Sequence, residues 1–196
     1  MEKIKVTGQV RNELGSKNAK NARKEGLVPC VLYSSTENVH FVIEPRAIRD
    51  LIYTPEFHTA DLELGGKSFS AIVKDVQYHP LTEEILHIDF LALEPNRPVK
   101  VEVPIAFKGV SPGVKAGGKL QKSMQTVKVK TTPENMVDLL HLDISNLGLG
   151  QAIRVRDIEP VDGIEIITAA ATPVAIIEIP RALRSAAAAE AKAAKK

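Results

Sequence analysis

The chain has 196 residues, 44% of them hydrophobic, one cysteine and a net charge of +2, which suits one or two domains with real cores. A single cysteine excludes an internal disulfide framework, and no apolar run approaches the roughly 18 residues of a membrane span. The start, MEKIKVTGQV, has no apolar signal core and predicts a non-secreted, cytoplasmic protein.

KIKVTGQVR (3–11) alternates apolar and polar residues and predicts a strand. SKNAKNARKEG (16–26) predicts a helix with Ser16 as N-cap, Gly26 as the left-handed residue after its end and Pro29 barring its resumption. The helix carries no large apolar residue, and spacings of three and four put Lys17, Lys20, Asn21 and Lys24 on one face. That face cannot enter a core, but it can reach phosphates with its charges and base or sugar edges with its amide. VPCVLY (28–33) and HFVIE (40–44) are the next strands, and Cys30 reads as a buried small hydrophobe. Pro45 opens a short helix, PRAIRDLIYT, with Ile48, Leu51 and Ile52 as its apolar stripe. Two alternating segments then flank Gly65-Gly66, a hairpin signal, and HIDFLAL (87–93) closes the first half.

Two prolines around the polar turn EPNRP (94–98) mark a boundary. VKVEVPIAFKG opens a second β-rich section, with TVKVKT, LHLDI, AIRVRDI, GIEIIT and PVAIIEIP as later strands. Between them, the Gly-rich KGVSPGVKAGGKL (108–120) lacks a strand pattern and is expected to be a long mobile loop, with no P-loop context for its glycines. The predicted fold class is mainly β with short helices. It comprises a small N-terminal β-barrel with two or three short helices (1–94), a β-rich C-terminal domain (95–181) and an Ala/Lys-rich flexible tail (182–196).

Charge is unevenly distributed. Residues 1–24 hold seven basic and two acidic residues, 25–94 hold four and twelve, and 181–196 hold five and one. Cations gathered at two ends suit a local polyanion contact, a solvated helix face being the bland alternative. Aromatic residues make up 4% of the chain and tryptophan is absent, too few for a sequence-tolerant single-strand platform. An RNA partner is therefore expected to be folded, and read through backbone and groove shape.

Two further clusters carry chemistry, KDVQYHP (74–80) and LHIDF (86–90). Strand alternation sends Leu86, Ile88 and Phe90 to the core and leaves His87 and Asp89 facing solvent or a partner, with Gln77 and His79 sharing a face of their own strand. In a binding reading, Asp89 accepts from base amino groups while Gln77 and His87 contact bases, sugar hydroxyls or phosphates. An enzyme reading makes His79, His87 and Asp89 metal ligands or an acid–base pair, but no nucleophile elbow, P-loop, HExxH or paired-cysteine motif completes it. Tyr33 and Arg11 sit at strand ends near the basic helix. A packed ring and a surface salt bridge are their ordinary roles.

At these residues the chain resembles the 5S rRNA-binding family numbered 25 of the bacterial large ribosomal subunit, in its longer form called general stress protein CTC. VRNELGSKNAKNARKEGLVPCVLY, KDVQYHP and ILHIDFLAL carry the resemblance over about residues 1–93. GGKL and LHLDISNLGLGQAIRVRDI extend it to about residue 180. The resemblance implies an N-terminal barrel that binds the loop E region of 5S rRNA. The contacts it implies are Arg11, Lys20, Tyr33, Gln77, His87 and Asp89, with Lys17 and Asn21 nearby; Lys24 joins them as a further cation of the helix. Lys20-Asn21 stands where the family commonly carries an Arg-Arg pair, and lysine lacks arginine's bidentate fork.

The expectation is a non-enzymatic ribosomal protein of the large subunit, with 5S rRNA and neighbouring ribosomal proteins as partners. No catalytic or metal residue, cofactor, membrane or small-molecule substrate is expected. The alternatives are a stress-associated adaptor binding protein through its β domain and, last, a small metal-dependent enzyme.

Overall fold

The computed structural model describes residues 3–35 and 37–180; the tail reading of 182–196 lies outside them. Two compact units result, one running to Val101 and taking in Thr131–Asp138, the other made of Glu102–Lys130 and the residues from Leu139.

Six strands build the first unit: β1 (Lys3–Val10), β2 (Val28–Tyr33), β3 (Asn38–Ile43), β4 (Thr59–Leu64), β5 (Lys67–Tyr78) and β6 (Ile85–Ala92). They close into a barrel in the order β1-β3-β2-β6-β5-β4. Closure falls to β1, which pairs in parallel with β4 from Lys3 to Gly8 and antiparallel with β3 at Gln9 and Val10. Gly8 marks the changeover. A Cβ there would lie 2.8 Å from both Leu64 and Phe41 side chains, so only a glycine lets the strand pass between its two partners. The hairpin between β4 and β5 turns on Gly65 and Gly66 with φ of 55° and 84°, the paired positive values of a two-residue turn matched to strand twist.

Inward residues of the staggered strands form one core, with Leu32, Phe41, Leu62, Ile88 and Phe90 fully buried and the Phe41 and Phe90 rings 5.8 Å apart. The helix predicted at Pro45 is a 3₁₀ turn (Pro45–Ile48) running into α2 (Arg49–Ile52), and Ile48 and Leu51 join that core. Leu86 departs from expectation: it is half-exposed, because β6 enters the barrel through a register irregularity opposite Gln77 and Tyr78.

In the second unit, β7 (Val99–Lys108), β9 (Thr126–Thr131), β10 (Leu140–Asp143) and β12 (Ile164–Ile166) form a sheet in the order β10-β7-β9-β12. A second sheet has the order β11-β13-β8, from β8 (Lys119–Lys122), β11 (Ala152–Arg154) and β13 (Pro173–Glu178). The long mobile loop expected over 108–120 is not there. Ser111 caps a short helix, α3 (Pro112–Lys115), accepting from the N–H groups of Gly113 and Val114 and donating to the Leu147 carbonyl, and β8 follows. The glycines serve contact, not motion. A Cβ on Gly113 would lie 2.7 Å from the Gly148 backbone, and one on Gly118 2.5 Å from Ile177.

Candidate nucleic-acid interface

The basic helix, α1 (Ser16–Lys24), starts one residue differently from its sequence reading. Gly15 is the N-cap, at φ 108°, and no side chain caps the helix, so Ser16 is its first residue. Glycine takes this position because its backbone reaches a conformation that serine would enter only with strain. The C-terminus follows expectation: Gly26 is left-handed at φ 78°, its N–H donates to the Arg23 carbonyl, and the Leu27 N–H donates to that of Ala22. This pair of bonds ends the helix and turns the chain directly into β2.

Ala22 is buried and Ala19 half-buried, so small residues seat the helix on the outside of the barrel. Beneath it lie the outward residues of β2, of which Pro29 and Val31 are covered. At 100° per residue, this seating turns Ser16 and Arg23 toward one flank, with Lys20 on the rim above them. Lys17 and Lys24 point away from the barrel, and Asn21 lies toward the opposite flank. All four residues of the predicted face are exposed, but only Lys20 borders the groove described next.

That groove, of about 460 Å³, runs between α1 and the barrel wall. Arg11, Ser16, Ala19, Arg23, His40 and His87 line it, with Cys30 at its floor. The helix is tied to β6 by Arg23, whose Nε donates to the Leu86 carbonyl at 3.0 Å. Helix and polar strand edge therefore share one side of the barrel. Arg11 is held from two directions: its N–H donates to the His40 carbonyl at 2.8 Å, and its guanidinium to the Glu13 carbonyl at 3.2 Å.

Strand register orders the rest of the surface. Gln77 pairs with His87 across β5 and β6, Val31 pairs with Asp89 across β2 and β6, and Tyr33 lies two residues further along the same outward face of β2. His87 Nδ1 and Asp89 Oδ1 approach to 2.9 Å with each side chain 24% exposed. Neither atom makes an aligned hydrogen bond to the protein, so the contact is a charge pairing with both groups still open to a ligand. Asp75 lies directly across from Asp89, a like-charge juxtaposition that His87 offsets. Cys30 is inert here: burial, reinforced by the charge of Asp89, pushes its thiol far above the ordinary range, and Sγ donates to the Val28 carbonyl.

Sequence reasoning missed Arg23 and His40. Both were legible in principle, Arg23 from its spacing of four from Ala19 and His40 from its place beside the inward Phe41. His79 does not join His87 and Asp89; its Nδ1 accepts from the N–H groups of Leu81 and Thr82 in the turn after β5. No three His, Cys, Asp or Glu residues gather as a metal cluster among the described residues.

A closed barrel with a preformed cationic groove on its outer wall, followed by a β-rich unit, defines a class: a two-unit β protein that recognises by surface. The model of the Ribosomal L25p family matches residues 6–90, and that of the Ribosomal protein TL5, C-terminal domain, matches residues 98–181. Large ribosomal subunit protein bL25 of Bacteroides thetaiotaomicron is 41% identical over 197 residues, covering 98% of this chain and 100% of that protein. Its counterparts in Cytophaga hutchinsonii and Porphyromonas gingivalis are each 40% identical, covering 98% and 95% of this chain and 100% and 98% of those proteins. The chain belongs to the bacterial L25 family, in the form that carries a TL5-type C-terminal domain.

Proposed function

We propose that the first unit binds 5S rRNA in its loop E region and that the groove between α1 and β6 is the binding face. As an L25-family member the chain is a structural protein of the large ribosomal subunit, working in the bacterial cytoplasm and not an enzyme. The observation that carries the finer reading is the Arg23–Leu86 bond, which holds the basic helix beside the His87/Asp89 edge, so that a single RNA segment can meet both.

Roles follow from chemistry and position. Arg11, Lys20 and Arg23 engage phosphates along the groove, where a rigid barrel presents their charges without an ordering cost. Asp89 accepts from a base amino group, and Gln77 and His87 donate to base or sugar oxygens in a wide, shallow RNA groove. Lys17 and Lys24, pointing away from the barrel, strengthen the local field and reach an adjacent backbone. Asn21 and Tyr33 contact the RNA only at the margins of the footprint.

The test is the salt dependence of binding to purified 5S rRNA. Neutralising about four to six phosphates gives a log–log slope near −3 to −5, at roughly −0.7 per contact in non-duplex RNA. An affinity independent of salt would remove this reading.

A further inference from the structure

On the far side of Arg23 lies a second pocket, of about 380 Å³, between the end of α1, α2 and the start of β6. Leu27 and Leu86 contribute its apolar floor, and Arg23, Arg46, Arg49 and Tyr53 stand around it. Arg46, Arg49 and Tyr53 follow one another at intervals of three and four, on the side of the 3₁₀ turn and α2 opposite the buried Ile48 and Leu51. All three are exposed, Tyr53 at 62%. Among the described residues neither Arg46 nor Arg49 makes a side-chain hydrogen bond or ion pair. Glu84, whose Oε2 already accepts from Thr82, is the one acidic residue lining the pocket.

The combination is particular. Flat guanidinium groups and a phenol ring over an apolar floor suit a planar heterocycle with an attached phosphate, the two halves of a nucleotide. The volume lies within the roughly 300–1,000 Å³ of small-ligand pockets. Arg23 lines both this pocket and the groove, so a strand leaving the groove meets the pocket next.

We propose that this pocket captures one unstacked nucleotide of the bound RNA, its base against Tyr53 and the Leu27–Leu86 floor and its phosphate on Arg46 and Arg49. The inference rests on the RNA reading of the groove and extends its footprint to a second, single-stranded contact.

Hydroxyl-radical footprinting of the full chain on intact 5S rRNA tests it, comparing the unaltered protein with Arg46→Ala/Arg49→Ala and with Tyr53→Ala. The expected result is that loop E protection persists in all three, while the double variant loses a separate short patch of protected nucleotides. Its salt slope becomes shallower by about 1.4, two contacts at roughly 0.7 each. Tyr53→Ala, which removes no charge, lowers affinity with the slope unchanged. A double variant with the footprint and slope of the unaltered protein overturns the proposal, including when it loses a protein partner instead. If the unaltered protein leaves loop E unprotected, the functional reading fails separately. The pocket is then judged with a short single-stranded RNA: weaker binding by the double variant upholds it, and equal binding overturns it.

Discussion

The two units treat their cations differently. In the second, Lys108, Lys128, Lys130 and Arg156 each lie 3.2–3.6 Å from a carboxylate, on Glu159, Glu102, Glu165 and Asp157. In the first, Lys17, Lys20, Lys24, Arg46 and Arg49 have no such partner among the described residues; its ion pairs are Lys67–Glu37, Arg97–Glu94 and His87–Asp89. Exposed pairs of this kind add little to stability. Their effect is on the field: a paired cation is cancelled within a few ångströms, whereas unpaired ones on α1 and α2 leave a charge for an external anion to cancel. Net charge near zero thus conceals one unit that is electrostatically closed and one that is open.

The largest expected effect tests that contrast directly. Replacing Lys17, Lys20 and Lys24 by alanine is expected to lower 5S rRNA affinity on the order of a hundredfold at low salt and flatten the salt slope by about 2. The same change at Lys108, Lys128 and Lys130 leaves both within a few-fold, by filter binding across a salt series. Equal losses from the two triple variants would break the comparison.

Next comes stability without binding. Gly113→Ala places a Cβ against the Gly148 backbone, and overpacking of this kind costs about 1–3 kcal/mol. Thermal unfolding should register that loss while the RNA affinity of the folded protein is unchanged. Asp89→Ala is the converse. It is expected to reduce discrimination between loop E and an unrelated duplex by about tenfold, the worth of a hydrogen bond to a charged group, with the salt slope intact. A proportional loss on both RNAs would assign Asp89 to general affinity and not to reading.

The smallest effect is one the units share. The Ser35 hydroxyl and N–H hold the Glu94 carboxyl below its ordinary value, with Arg97 assisting, and Ser145 does the same for Asp143. A carboxylate with a lowered folded value contributes stability above its unfolded value and loses it as pH falls through the folded one, here below about pH 4. Melting temperatures followed downward from pH 6 should therefore fall less steeply in Glu94→Gln and in Asp143→Asn than in the unaltered protein. Parallel acid limbs would count against both contacts.

Much of the barrel was readable from alternation because its strands bury one face and wet the other. VPCVLY and TVKVKT match β2 and β9 residue for residue, and Gly65-Gly66 turns where its dipeptide says. Closure was not readable, since the parallel pairing of Lys3 with Thr59 joins residues far apart by a register that no local pattern encodes. Ser111 was misjudged for a different reason: Ser-Pro-Gly is a helix start, but neighbouring glycines drew the segment toward a loop. At the groove, helix periodicity found the cations yet could not say which flank the barrel covers. Two alanines settled that, Ala19 and Ala22, and with them the place of Arg23.

The double duty of β1 has one more consequence. In most barrels a terminal stave mates with two neighbours along its full length, but here the eight residues Lys3–Val10 divide their backbone between β4 and β3. Trimming the N-terminus by one short segment would therefore unzip both seams together, leaving two bare β edges on a five-strand sheet. A vessel without rims would become an adhesive ribbon, prone to exchanging strands with its own copies.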